Sequence, residues 1–365
     1  MKVLVIAEGY PSQDNLYNLA YIHSRLLHYV KNGIAVKVLS FQANKEYEFE
    51  GIVVTNLETF NKTDSLKDYD LLISHAPNLR NHVIFILSRI RSVNNLLFFI
   101  HGHEVLIKKN YYPSPYGFDR GSIVKGWINL IYDLIKVKLL KLFFNYVLLK
   151  KTTHIVFVSE WMKEETLKNV FFNKKFIKRN TSVINNNINP IFFDDHYNPS
   201  QEKWGDFITI RPLDNSKYAL DVVCEVAKMN PSYSFHVYGK GKFFSYNEMP
   251  NNLVWHNRYL KQNEMPEVLN HYSCGLMPTR LDSQGVSVCE FASFGIPLYT
   301  SDLNVCREML GEFENVKFFS INLKEGFKSL RPFDAKVSNQ NKKKFSFEET
   351  VYREIELIKE FFKKD

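Results

Sequence analysis

The chain has 365 residues, 45% of them hydrophobic and 24% charged, with a formal net charge of +8. That composition belongs to a folded globular protein, and the length favours two domains over a single core. Four cysteines without C-x-x-C pairing exclude a disulfide framework and fit a reducing cytoplasm. The positive excess suits acidic small substrates, an anionic membrane surface or nucleic acid, but no zinc-finger or RNA-recognition motif is present, so nucleic acid is set aside.

Short β-rich runs alternate with helix-period segments along the whole chain. Residues 3–7 are too short a run for a signal-peptide core and read as a first strand. Residues 16–31 read as a helix closed by Gly33. Strands are expected at 36–41, 69–74 and 96–100. Residues 123–151 form a long helical stretch, one helix or two. No segment reaches the ~20 apolar residues that span a bilayer. The nearest, 127–149, is broken by Asp133, Lys136, Lys138 and Lys141. A strand at 154–158 leads to Ser159, well placed to cap the next helix, and 182–184 is a further strand.

Residues 185–204, rich in Asn, Asp, Pro and Ser, read as a domain boundary. Alternation then restarts, with strands at 207–210, 234–238, 253–256, 274–277, 298–300 and 316–319. Helices are expected at 218–229, at 263–271 with Asn263 as its cap, at 286–294, and at 345–362 after a basic loop, 339–344. The predicted fold class is therefore α/β, two doubly wound Rossmann-like domains. Ligands in such sheets bind beyond the carboxyl ends of the strands, so candidate residues are sought there.

The densest constellation is residues 277–297. A strand end is followed by a polar loop with Asp282, then Gly285, whose lack of a side chain lets backbone approach a ligand. A helix begins at Val286 and Ser287, and its first N–H groups form an anion site. Glu290 lies one turn inside, eight residues after Asp282. The bland alternative is a plain βαβ unit with solvated carboxylates. Arg211 ends one strand and Lys217 comes six residues later, so both can face a diphosphate; the alternative is a pair of surface cations. Gly239-Lys240-Gly241 is a turn of a common kind. His101-Gly-His103-Glu104 closes another strand. A His-x-His pair can hold zinc, but no further ligand has recognisable spacing, so no metal is expected.

These residues resemble the signature of the retaining GT-B glycosyltransferases of family 4: two acidic residues eight apart, a glycine three after the first, then an alanine and Gly-x-Pro. Here they are Asp282, Glu290, Gly285, Ala292 and Gly295-Ile-Pro297, with Asp in place of the first Glu. Residues 156–162 and 182–189 resemble further stretches of that family. The resemblance implies two domains facing a cleft. Residues 1–190 would be the acceptor side, with a final helix at 345–365 packing back on it, and 203–335 would bind the nucleotide sugar. It implies that Arg211 and Lys217 carry the diphosphate and that Glu290 holds the ribose. Asp282 would contact the donor sugar, His101 would lie near its anomeric carbon, and Gly239 belongs to the matching Gly-x-Gly turn; His103 joins the candidate substrate site by its place at the same strand end as His101. It implies a UDP- or GDP-linked donor, no cofactor, no metal, and a glycan or lipid-linked acceptor in surface-polysaccharide assembly. The loop after the first strand has one glycine, Gly9, where the family is often glycine-rich. The same loop lacks the Gly-x-Gly-x-x-Gly of a Rossmann dehydrogenase.

Two other function classes share this pattern, a sugar-nucleotide epimerase on the same fold and a non-catalytic sugar-nucleotide-binding subunit. The stretch 125–151 reads as a core helix with a lysine-bearing outer face. Its alternative is a basic amphipathic helix on the anionic inner face of the plasma membrane.

Overall fold

Among the described residues of the computed structural model (1–15, 18–121, 123–170, 174–323, 329–335 and 343–363), fourteen strands gather into two sheets. The chain divides into two units. Residues 1–108, 128–187 and 347–365 form the first, and residues 109–127 and 188–346 form the second.

The first unit is built on β1 (Lys2–Ala7), whose Val-Leu-Val-Ile-Ala run is wholly buried. A strand apolar on both faces belongs in the middle of a covered parallel sheet. β1 pairs in parallel with β2 (Ala35–Ser40) on one side and with β5 (Leu71–His75) on the other, with Val3 opposite both Val36 and Leu71. β3 (Tyr47–Phe49) and β4 (Ile52–Thr55) form an antiparallel hairpin that extends the β2 edge. Beyond β5 lie β6 (Asn95–Ile100), β7 (Thr152–Phe157) and β8 (Thr181–Val183). The order is β3-β4-β2-β1-β5-β6-β7-β8. The hairpin was not anticipated from sequence.

The helix Ala20–Lys31 presents Ile22, Leu26 and Tyr29 to this sheet. Val351, Ile355 and Ile358 of the final helix, Val351–Glu360, join the same core. Glu354 of that helix is fully buried. It accepts the Tyr29 hydroxyl at 2.6 Å and lies 3.2 Å from Arg25 Nη2. Removing one partner of such a pair would leave a buried charge uncompensated.

The stretch 123–151 forms a single helix, Ile123–Lys150. Ser159 caps the helix Glu160–Asn169, accepting the Met162 N–H at 3.0 Å. The inner face of the long helix holds Leu140, Phe144 and Val147, as a core helix requires, and its outer face bears Lys138, Lys141 and Lys150 among mostly apolar side chains.

The second unit is an all-parallel sheet of β9 (Gly205–Ile210), β10 (Phe235–Tyr238), β11 (Leu253–His256), β12 (Tyr272–Met277), β13 (Leu298–Ser301) and β14 (Val316–Phe319). Its order, β11-β10-β9-β12-β13-β14, turns back on itself between β9 and β12. Tyr116 and Phe118 of the 109–127 segment pack on this core against Phe243. Asn263 is not a cap: it sits inside a 3-10 turn, Gln262–Glu264, that runs into the helix Met265–Asn270. Residues 339–342 of the expected basic loop lie outside the described residues. The expected helix at 345–362 is interrupted, with a 3-10 turn at Lys343–Phe345 before Val351–Glu360. All four cysteines are buried and free.

Candidate functional site

In a doubly wound sheet, the point where strand order reverses leaves the two flanking connections on opposite faces and opens the carboxyl edge to ligand. In the second unit that point lies between β9 and β12. Arg211 is the residue after β9. It is 3% exposed, and its Nη1 donates to Ser287 Oγ at 2.9 Å while its Nη2 lies 3.5 Å from the Met277 carbonyl. A side chain from one strand end is thus fixed on the helix that comes after the other. Burial draws the guanidinium below its ordinary value, and the charge of Asp282 is the chief opposing influence. Its Nε is buried without a partner.

Lys217 lies in a 3-10 turn, Ser216–Tyr218, started by Asn215 Oδ1, which accepts the Lys217 N–H at 3.1 Å. The Lys217 carbonyl accepts the Arg280 N–H at 2.7 Å and the Thr279 hydroxyl at 3.0 Å. The loops after β9 and β12 are therefore stitched together. Arg280 also donates to both Asp221 oxygens, at 2.7 and 2.6 Å. Tyr218 sits between the two candidate cations, with Arg211 Cζ 5.1 Å and Lys217 Nζ 4.6 Å from its ring centre. Each contact falls within the range of cation–π attraction.

Asp282 Oδ1 accepts the N–H groups of Ser283 and Gln284, at 2.9 and 3.4 Å. Gly285 then turns the chain with φ 76° and supplies no side-chain cap to the helix Val286–Phe294. First-turn N–H groups have no acceptor within their own helix, and the turn that carries those of Val286 and Ser287 is the one that Arg211 reaches through Ser287 Oγ. Glu290, on the same helix, is 5% exposed, so it is not a solvated surface carboxylate. Burial pushes it up to about 7, opposed by a hydrogen bond from the Asn189 backbone. Gly239 supports the site from behind. A Cβ there would lie 1.8 Å from the Arg211 carbonyl oxygen, so only glycine lets the β10 turn pass Arg211.

In the first unit, His101 comes directly after β6. Glu104 accepts the N–H groups of His101 and of Gly102, the latter at 2.9 Å, which folds the loop back on itself. The His101 ring points inward, its Nε2 3.3 Å from His75 Nδ1 at the end of β5. Both imidazoles are held well below the ordinary range, by burial first and by the Arg25 charge second. His103 is exposed, its Nδ1 3.4 Å from Glu104 Oε2. The order of this sheet reverses between β1 and β5. Glu8, just after β1, accepts there from Asn78 at 2.7 Å and from Asn81 at 2.9 Å.

Arg211, Lys217, Asp282, Gly285, Val286 and Ser287 thus share one sheet edge, with Glu290 and Gly239 packed into the same elements. His101 and His103 belong to the other unit. Sequence reasoning missed Tyr218, His75, Arg25 and Glu8. Tyr218 is the neighbour of Lys217, and Glu8 and His75 stand at strand ends, so position alone could have flagged these three. Among the described residues no group of three or more His, Cys, Asp or Glu is placed to hold a metal.

No family model matches the chain, and no curated protein matches it in sequence. Its fold is similar to that of several solved structures. Sucrose-phosphate synthase from Thermosynechococcus elongatus matches over 100% of both chains with TM-score 0.68 and 9% identity. HepE from Anabaena, in complex with UDP-glucose, matches over 100% of both chains with TM-score 0.62 and 11% identity. WaaG, a glycosyltransferase involved in lipopolysaccharide biosynthesis, matches over 90% of this chain and 87% of its own, with TM-score 0.58 and 10% identity. At this identity the likeness is one of fold. The fold is α/β with two parallel-sheet bodies, of the GT-B type.

Proposed function

We propose that the chain is a retaining, metal-independent glycosyltransferase. It takes a sugar from a UDP- or GDP-linked donor and passes it to a glycan or lipid-linked acceptor in surface-polysaccharide assembly. The observation that carries this reading is the Arg211–Ser287 hydrogen bond. It sets a buried guanidinium beside an uncapped helix N-terminus at the switch point of a parallel sheet. A cation and a row of N–H groups there match a diphosphate in charge and geometry. The structures of similar fold include a complex with UDP-glucose and a lipopolysaccharide glycosyltransferase, which supports the same reading.

In this account Arg211, Lys217 and the N–H groups of Val286 and Ser287 take up the charge that grows on the diphosphate as the glycosidic bond breaks. These groups stand in place before reaction, so little reorganisation is needed. Glu290 accepts from ribose hydroxyls and Asp282 from hydroxyls of the donor sugar. His101, held neutral, offers a hydrogen bond near the anomeric carbon. The leaving phosphate assists removal of the acceptor proton on the same face, which gives retention.

A thermal-shift panel of nucleoside diphosphates and nucleotide sugars tests the reading. A ligand at a hundredfold excess over its Kd stabilises the fold by about 2.7 kcal/mol, so one base is expected to raise Tm clearly above the rest. A panel in which no nucleoside diphosphate moves Tm at millimolar concentration would overturn it.

A further inference from the structure

The helix Ile123–Lys150 carries an unusual face. Ten of its large apolar or aromatic side chains are exposed. Ile128, Ile131, Ile135, Leu139, Leu142 and Leu149 line one stripe, and Leu142 and Leu149 are 66% and 61% exposed. Soluble proteins expose such residues singly, and a continuous stripe marks an interaction surface. Trp127, Tyr132 and Tyr146 are exposed beside the stripe. Aromatic rings of this kind favour a boundary between water and lipid.

The charges on the helix choose among occupants. Its one acidic residue, Asp133, is buried on the inner face. There it accepts from Lys136 Nζ at 2.8 Å and from the Lys108 N–H at 2.7 Å. The charged side chains left exposed on the described part of the helix, Lys138, Lys141 and Lys150, are all cationic. Arg80 adds a further cation beside it, 5.4 Å from the Tyr132 ring centre. Pairing this helix with its copy would bring lysine against lysine, since the described part of the helix exposes no carboxylate of its own. A bilayer with anionic headgroups meets both the stripe and its charges. The 28-residue helix is about 42 Å long at 1.5 Å per residue. No described helix is long and apolar enough to cross a membrane, so this one would lie along the surface.

We infer that the outer face of the helix Ile123–Lys150 docks the protein onto an anionic lipid bilayer, with Ile135 and Leu142 inserted among the acyl chains and Lys138 and Lys141 at headgroup level. This inference does not depend on the donor-site reading, because lipid binding can be measured without nucleotide.

The test is co-sedimentation of the full chain with vesicles of phosphatidylcholine alone and with vesicles containing 30 mol% phosphatidylglycerol. Circular dichroism and light scattering are run on each protein. The wild type is expected to pellet with the anionic vesicles at least tenfold more strongly than with neutral ones. Ile135→Glu/Leu142→Glu is expected to keep the native melting curve and stay in the supernatant. Lys138→Ala/Lys141→Ala is expected to lose most of the preference for anionic lipid while keeping the fold. The inference fails if the wild type remains in the supernatant with both vesicles, or if Ile135→Glu/Leu142→Glu still pellets. A dimer that forms without lipid and is dissolved by the same pair of substitutions would assign the face to a second copy and also overturn it.

Discussion

His75 Nδ1 lies 3.3 Å from His101 Nε2, so one imidazole donates its proton to the other. His75 is fully buried, stacked on Phe99 at 4.4 Å, and its Nε2 has no partner. A buried N–H without an acceptor is the costlier kind of orphan, which places the His75 proton on Nδ1. His101 then accepts at Nε2 and carries its own proton on Nδ1. Nitrogen-15 NMR is expected to show both rings neutral at pH 6.5, where a free imidazole is half protonated, with the His101 proton on Nδ1. The unfolded chain takes up protons near pH 6.5 while these folded rings do not. Their contribution to stability is therefore present above pH 6.5 and lost as pH falls below it. A titration midpoint near 6.5 for His101 would contradict this.

Glu290 gives a pH effect of the opposite kind. Its folded value is raised from 4.5 to about 7, so between those values the folded protein holds a proton that the unfolded chain has released. Stability falls as pH rises through that window. Glu290→Gln removes the penalty. Its stability relative to wild type is expected to grow between pH 4.5 and 7, by up to about 3 kcal/mol at 1.36 kcal/mol per pH unit. Urea melts at pH 5, 6, 7 and 8 measure this. Parallel curves for the two proteins would show that the carboxyl is ionised at its ordinary value.

Gly239 is held to glycine by backbone and not by a flexible neighbour, since a Cβ would meet the Arg211 carbonyl oxygen at 1.8 Å. Gly239→Ala is expected to cost about 3 kcal/mol or more in urea denaturation. It should also weaken nucleotide binding, because the atom that must move belongs to Arg211. A variant with wild-type stability would mean that the β10 turn adapts freely.

Ser287→Ala deletes the oxygen that receives Arg211 Nη1 at 2.9 Å. A hydrogen bond from a buried cation contributes about 2 kcal/mol, so a comparable loss in unfolding free energy is expected, with nucleoside-diphosphate affinity reduced about tenfold. An unchanged melt and an unchanged affinity would show that Arg211 does not depend on Ser287 for its position.

Much of this was legible in the sequence because the physics is local. The unbroken apolar run at residues 3–7 can only be a covered parallel strand, and Gly285 and Gly295 bracket a helix whose ends they set. Arg211, Lys217 and Asp282 stand out in the sequence because each comes soon after the end of a strand. The hairpin of β3 and β4 was hidden, because Tyr47-Glu-Phe49 is three residues long and gives no period. The interrupted final helix was missed because its apolar spacing continues past the break. The partnership of His75 with His101 depends on β5 and β6 lying side by side, which no local pattern encodes. The lysines on the outer face of Ile123–Lys150 were legible, but the extent of exposed apolar surface between them was not. A helix apolar on most sides normally means burial on most sides, and here only one side is covered.

In the proposed reaction the diphosphate leaving group is carried by Lys217 and Arg211. The most direct test of this is release of nucleoside diphosphate from the best-bound nucleotide sugar, monitored with and without acceptor glycan, in the wild type and in Lys217→Ala. Lys217 is half-buried in a turn fixed through its backbone, so the variant should keep the wild-type Tm. The wild type is expected to release nucleoside diphosphate slowly in water and faster with acceptor, and the variant to lose at least a hundredfold. Release at the wild-type rate by a folded Lys217→Ala protein would contradict this role for Lys217.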